Sequence, residues 1–263
     1  MAYPATFSAT GNRAVILGEL RRLLPRLEGF SRPLPFGLAT IDAHLPEGGL
    51  TCGGLHEIVP EAEGATPSAF GFMFGFMAAV LSRLPKTQPL VCVVPNHGRR
   101  PHGRLYGHGL NALGLDPGQL ILAETAHRKE TLWAIEEALH SMAPAAVIGA
   151  IDKLDLRTSQ RLQLAATETG LPLFLLRPAA TLESSAAATR WRIGTAEAAR
   201  DRYGLVVRPR WHLHLERCRN GRPGHWVVEY DHVAHRFSLS AAMADPSHAC
   251  GAGEEPRREA RCA

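Results

Sequence analysis

The chain has 263 residues, of which 45% are hydrophobic and 21% are charged, so it can bury a substantial core in one large or two small domains. Its five cysteines are scattered and form no C-x-x-C pair, which argues against a zinc ribbon and against a disulfide framework. The formal charge of +4 permits an acidic partner such as DNA but is equally expected of an ordinary solvated surface.

The N-terminal region, residues 1–33, is predicted to form one helix and a proline-rich linker. It lacks the basic head and apolar stretch of a secretion signal, so we expect a cytoplasmic protein. Leucines recur at helical spacing within residues 13–28, which predicts an amphipathic helix. They are available either to cover the protein's own core or to bind a neighbouring molecule: Leu17, Leu20, Leu24 and Leu27.

Residues 34–242 are predicted to form an α/β core. Five continuous apolar stretches alternate with helical patterns, which indicates a mostly parallel sheet covered by helices. The first helix is apolar from Ala69 to Leu81, too short to span a bilayer, so we expect a buried core helix. The five stretches read L-H-E-I-V, P-L-V-C-V-V-P, Q-L-I-L-A, A-A-V-I-G-A-I and L-P-L-F-L-L-R.

Two later helices have clear sequence signals. T-L-W-A-I-E-E-A-L-H-S-M is predicted to bury one face, made of Leu132, Ile135, Leu139 and Met142. The next helix has Thr158 or Ser159 as its candidate N-cap, and Gly170 as its stop.

The pattern changes after Thr181 to strand-like alternation in R-W-R-I, R-W-H-L-H-L-E-R-C-R and H-W-V-V-E-Y-D. N-G-R-P-G separates the last two as a hairpin turn, so an antiparallel edge is expected to close the sheet. Residues 243–263 are small, charged and glycine-rich, which predicts a disordered tail.

Residues 34–58 resemble the segment that precedes the phosphate loop in RecA-type proteins. The shared pattern is G-x-x-x-x-D-x-x-L, a G-G-L turn, a further glycine and the first core strand. The combination of F-G-L-x-x-I-D-x-x-L-P-x-G-G-L, L-H-E-I, A-T-R-W-R-I and R-W-x-L-x-L-x-R-x-R-x-G-R-P-G-x-W-V-V-E is similar to the ImuA family.

The ImuA resemblance implies a RecA-like accessory factor of a mutagenesis cassette induced by DNA damage. Its implied partners are an ImuB-like polymerase homologue and an error-prone DNA polymerase III alpha-type subunit, with RecA and DNA as further candidates. Because RecA-type proteins oligomerise through an N-terminal helix, the resemblance also allows a homo-oligomer.

The segment that aligns with a phosphate loop lacks the residues that bind ATP. A working loop cradles phosphates with backbone N–H groups and reaches them with a lysine. The lysine position is alanine here, and losing that contact alone weakens binding about ten- to a hundredfold. Pro67 removes one N–H, and Glu61 and Glu63 are expected to add negative charge beside the phosphates, Glu61 if it faces inward. The remnant consists of Pro60, Glu61, Gly64, Ala65 and Thr66, of which only Thr66 could still hold magnesium.

Three catalytic positions of RecA-type ATPases are also replaced. Asn96 stands where a carboxylate activates water, and an amide cannot take a proton at neutral pH. Ala150 stands at the magnesium-binding aspartate, although Asp152 would share its face if the strand continued. Arg177 follows the fifth strand in place of a polar sensor. We therefore expect no enzymatic activity and no required cofactor.

Arginines form the candidate contacts to DNA or a partner protein, because arginine beside aromatic surface suits phosphates and bases. An ordinary solvated strand face is an equally good interpretation. These residues are Arg99, Arg100, Arg104, Arg190, Arg192, Arg217 and Arg219.

The histidines predict no metal site. His97, His102 and His108 match no zinc spacing and are expected in an exposed loop. His212 and His214 share a strand face, but a third ligand would have to come from elsewhere, such as His225 on the partner strand.

The sequence thus predicts a non-catalytic RecA-like adaptor in SOS-induced translesion DNA synthesis. Three alternatives stay open: an active RecA-like ATP-binding repair ATPase, a SulA-like cell-division inhibitor, and direct DNA binding as the main task. The long C-terminal motif argues against the second.

Overall fold

The computed structural model of the protein describes residues 33–81, 88–96 and 103–240. The predicted N-terminal helix with its four leucines, the loop arginines Arg99 and Arg100, and the predicted tail lie outside these residues. None of the described helices is long and apolar enough to cross a lipid bilayer.

One mixed sheet organises the described chain, with its strands in the order β3-β2-β4-β5-β1-β6-β7-β8-β9. Strands β1 to β6 are parallel, and β7 to β9 continue the sheet in antiparallel fashion from β6. The strands are β1 Leu55–Pro60, β2 Leu90–Pro95, β3 Leu120–Thr125, β4 Ala146–Ala150, β5 Leu173–Leu176, β6 Thr189–Arg200, β7 Val206–Cys218, β8 Gly224–Asp231 and β9 Arg236–Leu239.

The helices lie on both sides of the parallel strands, as expected of an α/β sheet. We call the side that carries α2 the front face and the side that carries α4 and α5 the back face. The helices are α1 Ala39–Asp42, α2 Thr66–Leu81, α3 Gly107–Ala112, α4 Arg128–His140 and α5 Leu156–Thr169.

Each face of the sheet packs its own hydrophobic cluster. The front cluster is aromatic and extends from α2 to the antiparallel strands, where Phe72 lies 6.0 Å from Trp211 and 5.5 Å from Phe237 between ring centroids. The back cluster is aliphatic and joins Ile135 of α4 and Leu162 of α5 to the parallel strands. The predicted α/β fold with an antiparallel C-terminal edge is therefore confirmed.

Local details differ from the sequence-based expectation at three places. The N-cap of α5 is Asp155, whose carboxylate accepts a hydrogen bond of 2.6 Å from the Thr158 N–H, so Thr158 and Ser159 already lie inside the helix. Helix α4 ends at His140, and Met142 adopts a left-handed φ of 50° and is exposed rather than buried. Strand β9 had no sequence signal that we recognised.

Candidate functional site

An open cavity of about 590 Å³ lies at the carboxyl ends of the parallel strands, where α/β sheets usually bind ligands. Its walls are mainly apolar side chains from α2, α3 and the strand ends, such as Phe74 and Leu110. The polar residues that line it are Glu63, Thr66, Arg104, Glu124, Asp152 and Arg177.

The segment from Pro60 to Thr66, which the sequence predicts to be the remnant of a phosphate loop, is a tight turn rather than an open cradle. Strand β1 ends at Pro60, a short 3-10 turn covers Glu63–Ala65, and α2 begins at Thr66. The Thr66 hydroxyl donates a hydrogen bond of 2.9 Å to the Glu63 carbonyl. No residue from Pro60 to Thr66 has a positive φ, so the backbone lacks the alternation of right- and left-handed residues that forms an anion-binding nest.

Glu61 is directed away from the cavity. Its backbone N–H donates 2.8 Å to the Ile193 carbonyl of β6. Its carboxylate lies in the space beside Gly194 that a Cβ would otherwise fill, on the back face near His212. Glu61 therefore does not add charge to the cavity, whereas Glu63 does.

A carboxylate that sequence reasoning missed lies beside Asn96. Glu124, near the end of the neighbouring strand β3, accepts hydrogen bonds from Asn96 Nδ2 at 3.4 Å and from Arg104 Nη2 at 2.9 Å. The parallel pairing of β2 with β3 aligns Glu124 with Val94, two residues before Asn96. Only that register could have revealed the contact, because 28 residues separate the two side chains.

Ala150 and Arg177, the other two positions at which the sequence predicts a replaced catalytic residue, also lie at this edge of the sheet. Ala150 is the last residue of β4 and lines the cavity, so the strand does not continue to Asp152 as considered above. Asp152 is nevertheless exposed at the cavity wall. Arg177 donates its backbone N–H to the Ile58 carbonyl at 2.9 Å, directly after β5.

A buried ionic cluster lies behind the cavity, under the loop 177–188. Glu57 of β1 is fully buried and its carboxylate accepts hydrogen bonds from Arg190 Nε at 2.8 Å and Ser185 Oγ at 2.9 Å. Arg177 is 2% exposed, and its Nη1 lies 3.5 Å from Glu57 Oε1. Burial lowers the pKa of Arg177, and the carboxylates of Glu57 and Glu183 oppose that shift.

The guanidinium nitrogens of Arg177 have no hydrogen-bond partner among the described residues. Glu57 Oε1, which faces the guanidinium, also has no hydrogen-bond partner among the described residues. The pair is therefore held by charge at a distance longer than a good hydrogen bond.

Four of the predicted contact arginines hold the loop 177–188 against β6 and β7. Each donates to a different loop carbonyl, and the four bonds together pin most of the loop. They run from Arg190 to Glu183 at 2.7 Å, from Arg192 to Ala179 at 3.3 Å, from Arg217 to Ser185 at 2.6 Å and from Arg219 to Ala186 at 2.9 Å. That these arginines also contact DNA or a partner stays a prediction.

Comparison with known proteins then decides the family. No family model matches the chain. Two curated relatives, both named Protein ImuA and from two strains of Caulobacter vibrioides, NA1000 / CB15N and ATCC 19089 / CIP 103742 / CB 15, are each 35% identical over 244 residues. Each match covers 86% of this chain and 95% of the relative. The chain belongs to the ImuA family.

Two of the motifs that carried the ImuA resemblance contact each other in the fold. L-H-E-I forms β1 and A-T-R-W-R-I forms β6, and their register pairs His56 with Thr189 and Glu57 with Arg190. Thr189 Oγ1 accepts 3.0 Å from Trp191 Nε1 and lies 2.8 Å from His56 Nδ1. The Thr51 carbonyl can only accept a hydrogen bond. His56 Nε2, which lies 3.0 Å from it, must therefore be the donor and carry the proton.

The last of the quoted ImuA motifs, which begins R-W-x-L, contacts helix α2. Trp211 of β7 donates from Nε1 to the Ser68 carbonyl in the first turn of α2 at 3.0 Å. Such a bond satisfies a buried indole and fixes the height of α2 above the antiparallel strands. In this ImuA-family protein the named motifs therefore build the core around the site.

Proposed function

We propose that this ImuA-family protein is a non-catalytic RecA-like adaptor in damage-induced mutagenesis and translesion DNA synthesis. One observation carries the proposal: the segment from Pro60 to Thr66 has neither a cation nor a left-handed residue with which to hold a triphosphate. A phosphate site needs converging N–H groups and positive charge, and this turn offers a carboxylate at Glu63 instead.

A second candidate, a RecA-like ATPase, is favoured by one specific finding. Glu124 supplies a carboxylate beside Asn96, and Thr66 and Asp152 line the same cavity. These groups are of the types that activate water and hold magnesium. Against this, Glu124 is already engaged by Arg104, and the loop cation is absent.

Magnesium-dependent ATP binding and turnover separate the two candidates. For an adaptor we expect no turnover above the background, and no difference between the native protein and the Thr66→Ala and Glu124→Gln variants. Steady conversion of ATP to ADP that disappears in Glu124→Gln, with Glu137→Gln as an exposed control, would establish the ATPase and refute the adaptor.

An ordered apolar surface supports the docking role. We call residues 196–208 of the β6–β7 hairpin the arm, because β1 pairs with β6 only up to Ile193 and β8 pairs with β7 only from Arg210 onward. The arm exposes Tyr203, Leu205, Val206 and Val207, by 71%, 65%, 56% and 50%. Apolar surface gathered on an ordered projection is typical of a protein-docking site.

The tip of the arm is held in one conformation by local hydrogen bonds. Asp201 Oδ1 accepts from the N–H groups of Tyr203 at 2.8 Å and Leu205 at 2.9 Å, and Arg200 donates 2.7 Å to the Gly204 carbonyl. A partner that binds this tip would therefore meet a preorganised surface and a lower entropic cost.

The proposed partners follow from the family resemblance: an ImuB-like polymerase homologue and an error-prone DNA polymerase III alpha-type subunit. Co-expression and co-elution with the products of neighbouring genes test this directly. If those products are such proteins and elute separately at micromolar concentration, the adaptor proposal is wrong. Direct DNA binding would instead be recognised by affinity that falls steeply with salt.

A further inference from the structure

The cavity at the carboxyl ends of the parallel strands has walls that suit an apolar ligand. Phe70 and Phe74 of α2 line it with their ring centroids 6.1 Å apart. Leu110 of α3 and Leu113 after that helix line it as well. A volume of about 590 Å³ lies within the range of clefts that bind organic ligands.

Large apolar side chains are also exposed where the cavity opens to solvent. Tyr106, directly before α3, and Leu122 of β3 both line the cavity and are both exposed. A ligand that entered the cavity would cover these side chains as well, and removing their apolar surface from water would stabilise the complex.

The two cationic side chains that line the cavity already have counter-ions. Arg104 Nη2 lies 2.9 Å from the Glu124 carboxylate. The guanidinium of Arg177 is buried, and it faces the carboxylate of Glu57 at 3.5 Å behind the cavity. Neither arginine therefore leaves an uncompensated positive charge for an anionic ligand.

Two exposed carboxylates remain in the lining. Glu63 and Asp152 have no ion-pair partner in the described part of the chain. The nearest further cations, Arg128 and Lys153, line a smaller hollow that shares Asp152, and Arg128 lies 3.9 Å from Asp155. Lys153 offsets one of the two charges at most, so the described residues give the cavity a net negative charge that favours a cation.

We propose that this cavity binds a large apolar or aromatic side chain flanked by a basic residue, supplied by a partner protein. The proposal rests on the adaptor function proposed above and gives the chemistry of one docking contact. The apolar walls would hold the side chain, while Glu63 and Asp152 would attract the basic group beside it.

Two small probes with the same ring and opposite charge test this chemistry without any partner. Tryptamine carries an ammonium group and indole-3-propionate carries a carboxylate, and NMR titration of the full chain measures the binding of each. We expect tryptamine to bind at least about fivefold more tightly, and this preference to fall toward one in the double variant Glu63→Gln/Asp152→Asn. Equal binding of the two probes, or no binding at about millimolar concentration, would overturn the proposal.

A matched pair of substitutions on β3 tests the location. Leu122 is in register with Cys92 of the front cluster, whereas Ile121 is in register with Val91 and lies on the back face. Their exposed fractions are similar, 40% and 52%. We expect Leu122→Arg to abolish tryptamine binding and to weaken co-elution with the polymerase-like partner at least about tenfold, and Ile121→Arg to change neither. Both variants are first checked for native thermal unfolding.

The two measurements separate this proposal from the adaptor function. If the native chain co-elutes with its partner and Leu122→Arg does so equally well, the adaptor function stands and the cavity is not the contact. If the native chain binds tryptamine selectively but co-elutes with neither polymerase-like protein, the adaptor function fails, and with it the assignment of the cavity to a partner. Displacement of tryptamine by a peptide of residues 13–28, which carries leucines and arginines, would assign the cavity to the chain's own N-terminal segment and overturn the proposal.

Discussion

The two faces of the sheet handle buried polar groups in opposite ways, and adjacent residues of β1 show the difference. His56 on the front face is neutral and both of its ring nitrogens have partners. Burial lowers the pKa of His56 to about 4, against a weaker opposing effect of the Thr51 carbonyl. The charge of Glu57 on the back face is instead compensated by Arg177 and Arg190. The guanidinium of Arg177 has no hydrogen-bond partner among the described residues.

Both faces pack apolar side chains, but at β1 the front face holds a neutral hydrogen-bonded histidine and the back face holds a compensated charge beneath the loop 177–188. A neutral group with all its hydrogen bonds made adds rigidity at little electrostatic cost. A buried charge must be compensated by an opposite charge. Removing one partner leaves the other charge buried without compensation, and the folded state then bears its full desolvation cost. The stability of this part of the back face therefore depends on Glu57, Arg177 and Arg190 together.

The largest expected effect comes from breaking the buried ionic cluster. Glu57→Ala leaves Arg177 and Arg190 without their carboxylate, and we expect a loss of about 3–5 kcal/mol in the free energy of unfolding. Glu216→Ala removes from Arg192 a carboxylate that is 25% exposed and should cost only about 1 kcal/mol. Urea unfolding at pH 7 measures both, and equal losses would show that the buried cluster has no special role.

The front face can be tested through pH. The unfolded chain protonates His56 near pH 6.5, whereas the folded chain resists protonation down to about pH 4. Stability from this group is fully present above pH 6.5 and is lost as the pH falls from 6.5 toward 4. The shift corresponds to about 3 kcal/mol.

The free energy of unfolding, measured between pH 6.5 and pH 4, should therefore depend much less on pH in His56→Gln than in the native chain. The exposed control His140→Gln should keep the native pH dependence. If both variants keep the native pH dependence, His56 is protonated in the folded chain, which would contradict a neutral His56 hydrogen-bonded to Thr189.

A pair of glycines sharpens the contrast between packed and open backbone. A Cβ at Gly149 would lie 2.5 Å from Ile135 Cδ1 and 2.9 Å from Leu175 Cδ2, so Gly149→Ala should destabilise by about 1–3 kcal/mol. Gly64 in the loop remnant has no atom within 4 Å of such a Cβ and no positive φ, so Gly64→Ala should be neutral within about 0.5 kcal/mol. Thermal unfolding reports both, and a strong effect at Gly64 would indicate a conformational demand on the turn.

The smallest effect on stability is expected in the arm. Leu205→Ser alters an exposed side chain, so the free energy of unfolding should change by less than about 0.5 kcal/mol. Co-elution with the polymerase-like partner should nevertheless weaken, because the tip loses apolar contact area. Val233→Ser, which alters an even more exposed apolar side chain on the β8–β9 hairpin, is the control. Unchanged co-elution of Leu205→Ser would remove the arm from the interface.

The order of strands and helices was determined by the sequence itself. Continuous apolar runs and helical spacing are local properties, so the five parallel strands and the helices between them could be predicted. The family could also be predicted, because its motifs are contiguous. Leu132, Ile135 and Leu139 of α4 are buried, as their helical spacing predicts.

Only the tertiary structure decided which residues meet. Glu124 beside Asn96 and the arginines bound to loop carbonyls both depend on strand register. Register is fixed by packing across the whole sheet, and a shift of one residue would turn each of these side chains to the other face. For that physical reason Asn96, Ala150 and Arg177 could be named from the sequence, whereas Glu124 and the hydrogen-bond partners of the site could not.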